Sequence, residues 1–199
     1  RNPSPSSQLV KFVYSETGSL DPTVGAFANY IWSANGLYDP NKTGTGHQPK
    51  GFDQWMQFYN HYTVIGSLFT CRIWSTGITV VDRLFCALKL SANDTTYTTI
   101  EDFLEDKYTK TTIIDSVYSS RAQGKLSKGF SCRNFFSRPT SAVISSRDYR
   151  GNASSNPFED ATYILSVAGY DGANAAPAQY FVKIYYTAVL TEPTNLARS

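Results

Sequence analysis

Eight runs rich in β-branched and aromatic residues, separated by polar segments, constrain the fold of this 199-residue chain more than any other feature. Residues of these types suit the pleated, half-buried surface of a strand. The runs are 8–15, 26–33, 63–74, 78–90, 108–114, 123–133, 161–170 and 179–190. Eight such strands in one chain of this length predict an all-β fold, a single eight-stranded antiparallel jelly roll or a related sandwich. Since no repeat of fixed period is visible, a solenoid or propeller is not expected.

The ends of the chain differ in composition from its centre. Residues 1–7 are polar and interrupted by proline, which predicts the end of a flexible N-terminal arm. Residues 8–191 form the predicted domain, and residues 192–199 form a polar C-terminal tail. Because Met56 is the only methionine, we expect further residues upstream of Arg1.

Two short helices are predicted in the connections between the second and third strands and between the fourth and fifth strands. The first follows a long loop, 35–50, and covers 51–62. Its apolar residues recur at helical spacing, which predicts a stripe that packs on the sandwich or on a neighbouring chain. The stripe consists of Phe52, Trp55, Met56 and Tyr59. The second helix covers 101–107, after a capping box that begins at Thr98. A tight hairpin is predicted at 75–77, between the third and fourth strands.

The residues that usually carry catalysis or bind metal are sparse. The three cysteines, Cys71, Cys86 and Cys132, cannot all pair, and we expect buried free thiols. The only histidines, His47 and His61, accompany no nucleophile signature. We therefore predict no enzyme activity, no cofactor and no metal site.

Two further motifs receive structural interpretations. The segment 46–51 has the glycines of a phosphate loop, but Phe52 occupies the position of the phosphate-binding lysine. The acidic residues of 101–106 are interpreted as a solvated helix face. Three glycosylation sequons, at Asn41, Asn93 and Asn152, are expected on exposed loops.

Cations on four predicted strands indicate a possible nucleic-acid surface. In a jelly roll the first, eighth, third and sixth strands form one sheet in that order, so these cations would share it. Two aromatic residues lie two positions away from two of them, and cations interleaved with aromatic rings suit sequence-neutral binding of a single strand. Scattered solubilising charge remains the alternative. The candidate residues are Lys11, Arg72, Arg133 and Lys183, with Trp74 and Tyr185.

One stretch resembles a known family. The segments ANGLYDP (34–40), GTGHQPKGFDQW (44–55) and YTVIGS (62–67) resemble capsid proteins of circular Rep-encoding single-stranded DNA (CRESS-DNA, circovirus-like) viruses. The matching stretch, 34–67, covers about a sixth of the chain.

The resemblance implies a major capsid protein with a jelly roll of the viral type. Its partners would be identical subunits in a small, T=1-like icosahedral shell, the packaged circular single-stranded DNA and a host-cell receptor, with no membrane. The sheet of the first, eighth, third and sixth strands would face the interior, where its cations would meet DNA. The loops 75–77 and 171–177 would cluster around a symmetry axis, and 35–50 and 135–157 would cover the shell or bridge neighbours. The implied location is the virion, with assembly in the host nucleus.

Two other classes compete with this interpretation. A jelly-roll carbohydrate-binding module or lectin could stack sugars on Trp32, Trp55 or Trp74. An enzyme of the cupin kind would need clustered histidines inside the barrel, and the two histidines are far apart in the sequence.

Overall fold

A computed structural model describes residues 5–44, 46–78, 83–172 and 175–195 of the chain. Its described part contains eight strands and four short helices, with a 3-10 turn at Arg147–Tyr149. The strands are β1 (Ser7–Leu20), β2 (Ala28–Ser33), β3 (Tyr59–Ser75), β4 (Leu84–Ser91), β5 (Thr109–Ile114), β6 (Gln123–Ser131), β7 (Thr162–Gly169) and β8 (Ala178–Pro193). The helices are α1 (Phe52–Met56), α2 (Ile100–Glu105), α3 (Cys132–Phe135) and α4 (Thr140–Ser145).

The strands form two four-stranded antiparallel sheets, in the orders β1-β8-β3-β6 and β2-β7-β4-β5. This arrangement confirms the predicted eight-stranded jelly roll. The long pairing of β1 with β8 runs from Ser7 opposite Thr191 to Leu20 opposite Ala178. We call β1-β8-β3-β6 the first sheet and β2-β7-β4-β5 the second sheet.

An aromatic core lies between the two sheets. Alternate residues of the first sheet point into it, which explains the alternation of buried and exposed positions along β1. Its largest side chains include Trp32, Phe69 and Tyr186, all fully buried. Buried tyrosines need partners for their hydroxyls, and the Tyr186 hydroxyl donates to the Ser33 carbonyl oxygen at 2.7 Å. Burial also raises the pKa of Tyr186 well above its ordinary value.

The outer face of the second sheet is covered by the segment that connects β4 to β5 and contains α2. All of β7 and nearly all of β4 are buried, because these strands pack on both sides. Phe103 of α2 packs on Phe85 of β4, with ring centroids 6.0 Å apart. The N-cap of α2 is Thr99, whose hydroxyl accepts from the Asp102 amide. The capping box therefore begins one residue later than predicted, and the helix ends at Glu105.

The two predicted short helices exist as α1 and α2, but the predicted end of α1 and the predicted hairpin after β3 are wrong. Helix α1 ends at Met56, because Tyr59 already pairs with Pro193 at the start of β3. The predicted hairpin at 75–77 does not exist, because β3 and β4 belong to different sheets. Within the predicted strand 78–90, residues 79–82 lie outside the described residues, as do Thr45, 173–174 and both ends of the chain.

Two smaller expectations, on the cysteines and on the sequons, are also decided. All three cysteines are free and buried, as predicted. Asn41 is 1% exposed, so the expectation that every sequon lies on an exposed loop is wrong. Within the described residues, no group of three or more His, Cys, Asp and Glu residues could hold a metal ion. The same residues include no helix with the length and hydrophobicity needed to cross a membrane.

Candidate nucleic-acid interface

The outer face of the first sheet carries a group of four cations. Alternation brings Lys11 of β1, Arg72 of β3 and Lys183 of β8 to outward positions, as predicted. Lys125 of β6 joins them, directly opposite Arg72. We call these four cations and the outward side chains between them the basic face.

Strand pairing brings three of these cations around one recess. Arg72 lies opposite Lys125 on β6 and opposite Phe181 on β8, while Lys183 lies opposite Thr70. The recess has a volume of about 450 Å³, within the usual range of ligand sites. Its side chains come from Thr70, Arg72, Lys125, Phe181, Lys183 and Tyr185.

No carboxylate neutralises the basic face. Where the structure describes them, the outward positions of β1, β3 and β6, and those of β8 before Glu192, hold no Asp or Glu. Glu192, exposed at the end of β8, pairs with Arg150 and lies 3.3 Å from His61. The ion pairs of the described chain involve Lys42, His61, Arg83 and Arg150, and none of the four cations. Uncompensated positive charge on a flat sheet attracts a polyanion and favours the release of its counterions.

Apolar and aromatic side chains lie between the cations. Tyr185 is opposite Val13 on one side and Leu68 on the other, and each of the three is more than 40% exposed. The Trp74 indole nitrogen donates to the Gln179 side chain at 3.1 Å, which holds this ring against the sheet. An exposed ring beside phosphate-binding cations is the arrangement that stacks unpaired bases.

One predicted residue lies off the basic face, and one residue of the basic face is missing from the prediction. Arg133 lies on α3 and not on β6, because the strand ends at Ser131 and the chain turns into a helix. Lys125 occupies an exposed position of β6, on the same side of the strand as Ser127. Its neighbours Gly124 and Leu126 face inward. Period-2 alternation from Phe130 backwards would have placed Lys125 outward.

The predicted stripe on α1 divides into buried and exposed members. Phe52 and Met56 are buried, and Tyr59 is buried as part of β3. Trp55 is 36% exposed and Phe58 beside it is 46% exposed. Trp55 therefore does not pack fully on the sandwich, because a helix of five residues turns only two of its side chains toward the core. The alternative, contact with a neighbouring chain, stays a prediction.

A carboxylate on the core side of β1 holds the long 35–50 loop in place. Glu16 accepts hydrogen bonds from the Trp32 indole at 2.8 Å and from the Asn41 amide at 2.9 Å. The hydroxyls of Tyr14 and Tyr30 donate to the same carboxylate at 2.7 and 3.1 Å. Burial and the nearby carboxylate raise the pKa of Tyr14, so its hydroxyl remains a donor. The sequence interpretation missed Glu16, whose donors come from three separate segments.

The two histidines and one candidate sugar-stacking tryptophan, Trp32, occupy structural positions. His47 packs on the Tyr14 ring, with centroids 4.7 Å apart, and its ring nitrogens face the carbonyls of Gln48 and Ser15. His61 lies 3.3 Å from the Glu192 carboxylate. Trp32 is fully buried, so it cannot stack on a sugar.

No protein-family model matches the sequence, and neither does any curated protein. Solved virus structures, however, contain chains of similar fold. A chain of Mud crab tombus-like virus has a TM-score of 0.54 at 8% identity, covering 98% of this chain and 94% of that one. A chain of Cocksfoot mottle virus has a TM-score of 0.53 at 10% identity, covering 94% and 96%. A chain of Desmodium yellow mottle tymovirus has a TM-score of 0.52 at 14% identity, covering 98% and 94%.

The chain has the viral jelly-roll fold. Its sheet order is that of a viral jelly roll. The similar virus chains also align with nearly its whole length, although few of their residues are identical to its own. At such low identity, the likeness is one of fold, and the chemistry of the basic face must be argued from this chain's own residues.

Proposed function

We propose that this protein is the major capsid subunit of a small icosahedral virus, and that its basic face lines the interior of the shell. The basic face is the observation that carries the proposal, because it presents four cations and no carboxylate on one side of a viral jelly roll. A surface of this kind neutralises part of a packaged genome and requires no catalytic group.

The packaged molecule in this proposal is circular single-stranded DNA, enclosed in a T=1-like shell. The sequence segments within 34–67 support the DNA assignment through their resemblance to CRESS-DNA capsid proteins. The exposed Tyr185 and Leu68 support a single strand, because unpaired bases can stack on or pack against them. The subunit carries a net charge of only +2, so an upstream basic arm would supply further neutralisation.

Expression of the chain together with its upstream residues tests the assembly directly. We expect uniform particles in electron micrographs, with nucleic acid detected by the ratio of absorbance at 260 and 280 nm. Digestion of the extracted nucleic acid with DNase or RNase identifies its type. A chain that remains a monomer across salt and pH conditions would contradict the capsid proposal, and RNase-sensitive cargo would contradict the DNA assignment.

A charge-reversal pair tests the orientation of the basic face. Arg72→Glu with Lys125→Glu should sharply reduce the packaged nucleic acid while particles still form, because both side chains are exposed and unpaired within the described chain. Lys107→Glu with Lys110→Glu changes the charge equally just before and within β5 of the second sheet, and serves as the control. Equal packaging by the two double variants would place the nucleic acid elsewhere.

The exposed side of α1 is proposed as a contact between subunits. Trp55 and Phe58 form an apolar patch that the sandwich leaves uncovered, and such patches mark interaction surfaces. Trp55→Ala should lower particle yield while the melting temperature of the subunit changes little. Phe52→Ala, in the same helix but fully buried, should lower the melting temperature itself. Normal particle yield from Trp55→Ala would show that this ring faces solvent in the shell.

A further inference from the structure

A second recess opens at the edge of the sandwich, on the core side of β6 and away from the basic face. It lies between β6, α3 and the ends of β4 and β5, and has a volume of about 410 Å³. Its lining residues are Leu90, Tyr108, Lys128, Gly129, Phe130, Ser131, Asn134 and Phe135. Three of them are aromatic, one is a lysine and none is acidic.

The lysine is unusual because it points toward the core. Lys128 lies opposite Phe69 and shares the inward side of β6 with Leu126 and Phe130, both buried. Its ammonium group is 5.7 Å from the centroid of the Tyr108 ring. Burial, together with the nearby positive charge of Lys110, lowers the pKa of Lys128. The charge at this position is therefore poorly stabilised by the protein alone.

The nearest acid does not pair with Lys128. Asp106 attracts the ammonium from a distance, but its oxygens accept from the Tyr108 amide at 2.8 Å and from the Thr109 hydroxyl at 2.9 Å. The ion pairs of the described chain do not include Lys128. A bound anion would supply the missing partner.

The walls of the recess define the shape of that anion. Phe130 and Phe135 pack edge to face with centroids 5.5 Å apart, and Tyr108 adds a third ring that is 48% exposed. Gly129 also belongs to the lining of the recess. A flat aromatic body packs well against rings of this kind.

We propose that this recess binds a planar aromatic carboxylate, with its ring among Tyr108, Phe130 and Phe135 and its carboxylate on the Lys128 ammonium. The site is separate from the basic face, because Lys128 and Lys125 lie on opposite sides of β6. The competing explanation is that Lys128 only prevents β6, an edge strand, from pairing with another sheet.

Fluorescence titration of the full chain with 2-naphthoate tests the proposal, and 2-naphthamide provides a neutral ligand of the same shape. We expect saturable binding of the acid at least tenfold tighter than that of the amide. Lys128→Met keeps the length of the side chain without its charge and should weaken binding of the acid at least tenfold.

Lys125→Met is the matched control, since it removes a lysine from the other side of the same strand. Equal affinity for acid and amide, or no binding at millimolar concentration, would overturn the proposal. Loss of binding in Lys125→Met with retention in Lys128→Met would assign the ligand to the basic face and would also overturn it. Melting temperatures establish that each variant is folded.

Discussion

The two outer faces of this sandwich are built in opposite ways. The first sheet leaves its outer face bare, with Lys11, Arg72 and Tyr185 exposed. The second sheet buries its outer face beneath α2 and adjacent segments of the same chain, where Phe103 and Phe85 form a separate apolar cluster. One sheet is therefore available to bind a partner, while the other uses the same side of its strands for stability.

The difference is visible in the strands themselves. Strands β1, β6 and β8 alternate between buried and less buried residues, whereas β7 is buried at every position. A strand covered on both sides needs apolar or small residues throughout, and a strand with one bare face needs them only at every second position. We therefore expect substitutions on the outer face of the second sheet to affect stability, and substitutions on the outer face of the first sheet to affect binding.

The largest effect is expected at the centre of the covered face. Phe103→Ala should lower the free energy of unfolding by about 3–5 kcal/mol, because it removes a fully buried ring from the second cluster. Urea denaturation followed by circular dichroism measures this change. Leu104→Ala, at the next position of α2 but 62% exposed, should cost under about 0.5 kcal/mol. Similar losses for the two variants would mean that α2 does not protect the sheet.

A smaller effect, on binding alone, is expected on the bare face. Tyr185→Ala should weaken the binding of a short oligo(dT) strand by about 1–3 kcal/mol through loss of base stacking. Tyr185→Phe keeps the ring and should bind nearly as the natural chain does. Fluorescence anisotropy of a labelled oligonucleotide at fixed salt measures both variants. If Tyr185→Ala lowered the melting temperature without changing affinity, the contrast between the two faces would fail.

The smallest effect concerns a buried lysine on the covered side. Lys89 is 7% exposed, its ammonium lies 3.7 Å from the centroid of the Tyr97 ring, and burial lowers its pKa. The unfolded chain therefore binds more protons at this site between the lowered pKa and about 10.4, so stability rises with pH in that window.

Denaturation of the natural chain and of Lys89→Met at several alkaline pH values isolates this contribution. The stability of the natural chain relative to Lys89→Met should increase as the pH rises, while the tyrosines titrate similarly in both. If the difference in stability between the natural chain and Lys89→Met stayed constant with pH, Lys89 would be as well solvated in the folded chain as in the unfolded one.

Local pattern determined much of the fold. Alternation and β-branched content located all eight strands, and turn residues separated them, because strand formation depends mainly on which face a side chain can bury. The errors lie at boundaries and in one connection, the predicted hairpin at 75–77. Helix α1 was predicted to reach 62, but Tyr59 begins β3, since pairing with β8 outweighs the helical spacing of a few apolar residues.

The candidate site was determined in part by the same alternation. Lys11, Arg72 and Lys183 reach the basic face because their strands are long and regular. Arg133 was lost because β6 ends two residues before it, and Lys125 was overlooked in a strand interrupted by glycines. These differences depend on where one strand stops pairing with its neighbour, which its own sequence does not specify.

The sequence by itself determined the strand count, the free thiols and the excess of cations on strands of one sheet. Only the tertiary structure decided that Glu16 collects donors from three segments, that Trp55 faces outward and that Lys128 lies in a recess with no acidic side chain in its lining. The physical reason is the separation in sequence between the residues that interact. Periodicity reports which side of a strand a residue occupies, whereas partners and exposure depend on segments that are distant in sequence and adjacent only after folding.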